Sequence, residues 1–233
     1  MRQDPVRRQK SMKSILFYGD SNTWGFDPGT TLRYPYSVRW TSICASLLGS
    51  GYNCIPAGMN GRTTVFDDPI KGSRNGIKGL DYELQTHKPL DLFAVMLGTN
   101  DLKYTDAEGS AAGMKRLIEL VMTANQRYSL SSPVFPDSDI PGQPILLISP
   151  IGLRSHVGDR PNDIMDSARL SDLYQEIARK NRLHFLDAAL YAEPSEVDGV
   201  HLGVEGHRSL GTAVAEKIRE IFSAGSNGSP RSP

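Results

Sequence analysis

Leu90–Leu97, LDLFAVML, is apolar on both of its faces and stops at Gly98. A run of strand length without polar alternation reads as a strand buried on both sides. A strand covered on both faces belongs to a parallel sheet with helices above and below it. Working outward, Ile15–Tyr18 within Lys13–Pro28 (KSILFYGDSNTWGFDP), Tyr52–Pro56, Ile145–Ser149 and Leu183–Leu186 read as further strands. Helical spacing fills the intervals. Trp40, Ile43 and Leu47 share a face of Tyr36–Leu48, which Gly49 and Gly51 end. Ile77, Leu80 and Leu84 share another after the glycine- and Asp-rich connection Gly58–Gly76, and Met114, Leu117, Ile118, Val121 and Met122 a third. A proline-rich loop, Ser131–Pro144, and a second loop, Ile151–Pro161, precede a helix that ends near Asn181. A last helix from about Glu205 to Phe222 carries Leu210, Val214, Ile218 and Ile221 on one side. Alternation of this kind with short connections predicts an α/β fold: one three-layer α/β/α domain around a five-stranded parallel sheet. The sequence has no internal repeat.

The domain is expected to span residues 13–222. Residues 1–12, polar and basic, read as a flexible N-terminal segment, and residues 223–233 (SAGSNGSPRSP) as a flexible tail of linker composition. At 233 residues the chain can bury a substantial core. Lys plus Arg and Asp plus Glu number 26 each, so no net field would recruit nucleic acid or an anionic membrane. Specificity must then come from a local site. The two cysteines, Cys44 and Cys54, are too few for a disulfide framework and read as buried thiols. No run reaches membrane-spanning length, and MRQDPVRRQKSMK lacks the apolar core of a signal peptide, so a cytoplasmic protein is expected.

Chemistry collects at four glycine-marked polar segments: Gly19-Asp20-Ser21-Asn22, Gly58-Met59-Asn60-Gly61-Arg62, Gly98-Thr99-Asn100-Asp101 and Asp198-Gly199-Val200-His201. The first three follow strands directly, so a parallel sheet would bring them to one edge, where open α/β sheets bind ligands. Asp20 and Ser21 could equally begin a turn or cap a helix. A serine nucleophile, however, needs a base, and the base an orienting acid. Asp198 and His201, three apart, can make such a pair, leaving one imidazole nitrogen free for Ser21. His87 lies near a helix end, His156 in the Ile151–Pro161 loop, His184 on a strand and His207 within a helix, so His201 is read as the base. Oxyanion donors would be the backbone N–H groups of Ser21 and Gly61 and the Asn100 amide. Taken singly, Gly61 is also a left-handed turn residue and Asn100 an Asx-turn residue. Asp20 is expected to fix the Ser21 turn. Asn22, Trp24 and Phe26 are expected at the acyl pocket, with Asp20, Thr99 and Val200 beside them; Trp24 and Phe26 could instead be core or interface aromatics.

With these segments in order, the chain resembles the SGNH (GDSL-type) hydrolase superfamily, whose four marker residues correspond to Ser21, Gly61, Asn100 and His201. GDSNTWG, RWT at Arg39–Thr41, GRTT followed by DDP at Gly61–Pro69, HKPLDL at His87–Leu92, MLGTND at Met96–Asp101 and DGVHL at Asp198–Leu202 are similar to its arylesterase/acyltransferase branch. The resemblance implies a flavodoxin-like sheet, no metal or organic cofactor, and hydrolysis of small esters through an acyl-enzyme. It also implies acyl transfer to alcohols or peroxide, and homo-oligomers whose subunits wall the site. The residue after the nucleophile is commonly Leu in this branch; here it is Asn22, which is expected to alter acyl preference. Two other readings stay open. A metal-dependent phosphoesterase would use Asp20, Asn100, Asp101, Asp198 and His201 as ligands, and a non-catalytic flavodoxin-like domain would only bind a ligand or partner.

Overall fold

The computed structural model describes residues 12–128, 132–136 and 144–226. Of the segments expected to be flexible, 1–12 and 223–233, residues 1–11 and 227–233 lie outside them, as does most of the Ser131–Pro144 loop. The chain runs β1 (Lys13–Gly19), α1 (Ser21–Trp24), α2 (Trp40–Leu48), β2 (Tyr52–Gly58), α3 (Gly76–His87), β3 (Leu92–Met96), α4 (Ala107–Met122), α5 (Ala124–Arg127), β4 (Ile145–Ser149), α6 (Asp163–Asn181), β5 (His184–Asp187) and α7 (Val204–Ser226). The five strands form one parallel sheet in the order β2-β1-β3-β4-β5. That order reverses direction of winding between β1 and β3, which is where a flavodoxin-like sheet opens its binding crevice.

Side-chain alternation along the central strands sorts the core into two layers. Leu16, Tyr18, Phe93, Val95 and Leu147 face α3, α4 and α6, packing on Leu80, Leu84, Met114, Leu117 and Tyr174. Ile15, Phe17, Ala94, Met96 and Ile148 face α2 and α7, packing on Trp40, Leu210, Val214 and Ile218. Both faces are therefore dry, as the LDLFAVML run predicts. Pro56 is accommodated because β2 lies at the sheet edge, where a missing N–H costs least.

Several boundaries differ from the sequence reading. Tyr36–Leu48 is not one helix: Tyr36–Val38 is a single 3₁₀ turn, and Arg39 is extended (ψ 136°), its Nε donating to the Tyr34 carbonyl at 2.8 Å. The following helix turns Trp40 and Cys44 inward and leaves Leu47 largely exposed, so its buried face is not the expected one. β2 continues to Gly58, and β3 is shorter than its apolar run because Leu90 and Asp91 lead into it, Asp91 binding Lys13 and the Ser14 N–H. The last helix does not end near Phe222 but continues through Ser226. Cys44 is buried and Cys54 half-buried, both free; burial pushes the Cys54 thiol up to about 11 and Cys44 higher still. Among the described residues no helix is long and apolar enough to cross a membrane.

Candidate active site

β1 delivers Ser21 at its carboxyl end. Gly19 closes the strand and Asp20 caps the one-turn helix α1, its carboxylate accepting the Asn22 N–H at 3.0 Å. Gly25, in the left-handed region at φ 90°, ends the turn by donating to the Ser21 carbonyl. The turn lies hard against the ends of two strands. A Cβ on Gly19 would sit 2.1 Å from Thr23 Oγ1, and one on Gly58 would sit 2.1 Å from the Trp24 backbone nitrogen. Only glycine at both positions lets α1 seat there. Burial pushes the Asp20 carboxyl up to about 6, against the pull of the Asn22 N–H and the charges around it.

His201 arrives from the loop after β5. Asp198 Oδ1 accepts the backbone N–H groups of Val200 and His201, at 3.0 and 2.9 Å, and its Oδ2 lies 2.6 Å from His201 Nδ1. Burial would raise this carboxyl, but the bonds to His201 and Val200 outweigh it and hold Asp198 below the usual carboxylate range. An ionised carboxylate only accepts, so Nδ1 carries the imidazole hydrogen and Nε2 is left as the acceptor facing Ser21 Oγ at 2.9 Å. Gly199 makes the three-residue spacing possible. Its φ of 67° bends the loop back, and a Cβ there would lie 2.3 Å from Ser155 Oγ. The Phe26 ring packs on the imidazole at 4.3 Å between centroids.

Gly61 and Asn100 meet Ser21 in one cleft. Gly61 has φ 75°, and among the described residues neither its N–H nor that of Ser21 has a protein acceptor. Asn100 is oriented by two partners: its Nδ2 donates to the Arg62 carbonyl at 3.2 Å, and its Oδ1 accepts from Lys103 Nζ at 2.7 Å. An ammonium can only donate, so the amide oxygen faces Lys103 and the second Nδ2 hydrogen remains available to the cleft. The positions of these loops rest on groups whose partners sequence reasoning missed. The buried Arg62 guanidinium donates to the Gly19 carbonyl at 2.9 Å and to the Ala57 carbonyl, and stacks 4.0 Å from the Tyr18 ring centroid. Asp101, fully buried, accepts from Thr64 N–H and hydroxyl (2.7 and 2.5 Å) and from the Ser110 hydroxyl (3.2 Å). Burial pushes its carboxyl up to about 7 despite those bonds. The available signal was a charged residue closing each glycine-marked segment, Arg62 after Gly58-Met59-Asn60-Gly61 and Asp101 after Gly98-Thr99-Asn100.

The cleft encloses about 320 Å³. Of the residues predicted at the acyl pocket, Phe26, Thr99 and Val200 line this cleft, whereas Asp20 and Asn22 do not: both are buried beneath it. Asn22 is a clip rather than a pocket wall, its Oδ1 accepting the Leu202 N–H at 2.9 Å and its Nδ2 lying 3.5 Å from the Val200 carbonyl. Trp24 also lies away from the cleft, its ring under the Arg33 guanidinium at 4.9 Å. The loop after β4, which sequence left without a role, supplies His156 and Val157 to the rim, both anchored on the buried Asp163 carboxylate. Among the described residues no three His, Cys, Asp or Glu side chains are grouped as a metal site. His201 is engaged by Ser21 and Asp198, and Asp101 by Thr64 and Ser110.

This geometry can pass a proton from a hydroxyl to an imidazole beside donors suited to an oxyanion. A model described as the GDSL-like Lipase/Acylhydrolase family matches residues 17–209. Among solved structures, a carbohydrate acetylesterase from Sinorhizobium meliloti superposes with TM-score 0.82 at 36% identity, covering 90% of this chain and 100% of that one. The M. smegmatis aryl esterase superposes with TM-score 0.81 at 32% identity, covering 90% and 99%. Among curated proteins, no sequence matches the chain.

Proposed function

The chain belongs to the GDSL-like lipase/acylhydrolase family, and from that premise we propose that it is a serine esterase acting on small carboxylic esters, aryl or short-chain acyl, through an acyl-enzyme on Ser21. The observation that carries this reading is the unbroken chain from Ser21 Oγ to His201 Nε2 (2.9 Å) and from His201 Nδ1 to Asp198 (2.6 Å). Ser21 Oγ attacks the ester carbonyl as its proton passes to His201 Nε2, and Asp198 stabilises the imidazolium that forms. The carbonyl oxygen, now negative, is held by the Ser21 and Gly61 N–H groups and the Asn100 amide. His201 then returns the proton to the departing alcohol, leaving acyl-Ser21. A water, deprotonated by the same imidazole, attacks the acyl carbon, and collapse releases the acid and restores the Ser21 hydroxyl. An alcohol in place of that water gives acyl transfer by the same steps.

The aryl and acetyl preferences of the two solved relatives support small esters as the substrates to try first. Intact-mass spectrometry after mixing with p-nitrophenyl esters of increasing chain length tests both points: a single adduct of acyl mass, absent in Ser21→Ala, is expected. A Ser21→Ala protein that turns over these esters at the wild-type rate, or resists a fluorophosphonate probe no differently from wild type, contradicts the assignment. A metal-dependent phosphoesterase would instead lose activity to EDTA.

A further inference from the structure

The cleft is lopsided in charge. Phe26, Val157 and Val200 give it an apolar side, whereas Lys71, Arg74 and Lys103 also line it. Arg74 lies against Gly61, its guanidinium 3.4 Å from where a Cβ would project, and Lys103 sits on Asn100. Among the described residues none of the three cations forms an ion pair. Two acids also line the cleft: Asp198 is engaged by His201, and Asp68 spends an oxygen on the Ile70 and Lys71 N–H groups at 2.9 and 2.8 Å. Burial, and then the charge of Lys71, push the Lys103 ammonium below its ordinary value, with Arg74 adding to the push and Asp20 and Asp68 opposing it. Three like charges gathered without a carboxylate in direct ion-pair contact repel one another, and an anion among them would relieve that repulsion. The transient oxyanion at Gly61 and Asn100 accounts for Lys103, which bonds Asn100, and gives no role to Lys71, exposed at the rim.

Taking the esterase reading as its basis, we propose that the cleft selects esters whose non-reacting part carries a negative charge, a carboxylate being the simplest case, held by Lys71 and Arg74 while the apolar side takes the aryl or alkyl portion. The charge could lie on either product of the cleavage, so the test has two arms. The first compares 4-acetoxybenzoate with the neutral 4-acetoxybenzamide, and the second compares monophenyl glutarate with phenyl valerate. The readout is the ratio of kcat/KM for the charged ester to that for its neutral partner. In at least one arm the wild-type ratio should exceed that of Lys71→Met/Arg74→Met by about tenfold, the order of a few partly exposed charge pairs. It should also fall toward the variant's value as salt is raised to about 0.5 M, where such pairs are screened. The salt titration uses wild-type protein alone, so it stands even if the double variant folds poorly. Turnover of the neutral esters with no charge preference, or a preference insensitive to both salt and substitution, overturns this inference and leaves the esterase reading intact. Absence of turnover on every ester overturns both.

Discussion

Asn22→Leu replaces the amide after the nucleophile with the residue common in similar chains, and the structure sets its consequences. Asn22 Oδ1 accepts the Leu202 N–H at 2.9 Å, in a bond between buried residues 180 positions apart. Leucine shares the branched outline and is the larger side chain, so the space stays filled while the Leu202 N–H loses its acceptor. An orphaned buried donor costs about 1–3 kcal/mol. For a chain of this length about 2 kcal/mol corresponds to a fall of roughly 4–8 °C in Tm. Leu202 follows His201 directly, so the imidazole should lose its fixed approach to Ser21, and kcat should fall by about tenfold or more with little change in KM. The acyl-chain profile should not move, because Asn22 lies under the cleft and not in its wall. Thermal unfolding and kcat on p-nitrophenyl acetate, butyrate and hexanoate measure all three quantities. A variant with unchanged Tm and an altered chain-length profile would show that Asn22 faces the acyl group and that the clip is misassigned.

Asn100→Ala should lower kcat by about 10²–10³ with KM little changed; Lys103→Met, which frees the Asn100 amide to rotate, should give a smaller loss in the same direction, measured by steady-state kinetics. Gly58→Ala would place a methyl 2.1 Å from the Trp24 nitrogen, against backbone that cannot yield cheaply. It should destabilise by about 1–3 kcal/mol or more and displace the Ser21 turn, so denaturant unfolding and fluorophosphonate labelling rate should fall together. His207 is buried, its Nδ1 accepting the Trp40 N–H at 3.3 Å, and burial pushes its imidazole down to about 4, with the charges of His201 and Arg39 adding. The folded state then binds fewer protons than the unfolded chain between the ordinary value near 6.5 and about 4, so stability falls as pH falls through that window, by roughly 3 kcal/mol. In His207→Gln the slope of Tm against pH should flatten there; an unchanged slope would place the titration elsewhere.

The sheet was legible wherever strands are dry on both faces: β1, β3 and β4 come from uninterrupted apolar runs, and Ile145–Ser149 matches to the residue. The helix face around Trp40 was not, because packing turns Trp40, Thr41 and Cys44 inward and leaves Leu47 out, which the spacing of apolar residues alone does not encode. At the site, the structure brings Ser21, Gly61, Asn100, Asp198 and His201 into one cleft, and each was legible because it sits in a glycine-marked segment. What could not be found was how they are held. Asn22 looked like a pocket residue because it adjoins Ser21; its partners lie on the His201 loop. Trp24 looked the same, but helix α1 carries its ring away toward Arg33.

Those hidden bonds explain why four loops from separate strands keep one geometry. Arg62 ties the ends of β1 and β2 together, and its own carbonyl anchors Asn100. Asp101 ties the Thr64 loop to α4, and Asn22 ties the Ser21 turn to the His201 loop. Each bond is buried, so breaking it leaves a group without water, and the loops are fixed more firmly than exposed contacts would fix them. Preorganised donors need such rigidity, because they must not reorient as charge develops. The cost falls on the acids. Asp20 and Asp101, pushed up to about 6 and about 7 chiefly by burial, hold protons in the folded state that the unfolded chain has released. These groups therefore favour the fold at low pH, and that contribution is lost as pH rises from about 4 through 7. The core of the sheet has to offset that loss, and one of the two acids, Asp20, caps the turn that begins at Ser21.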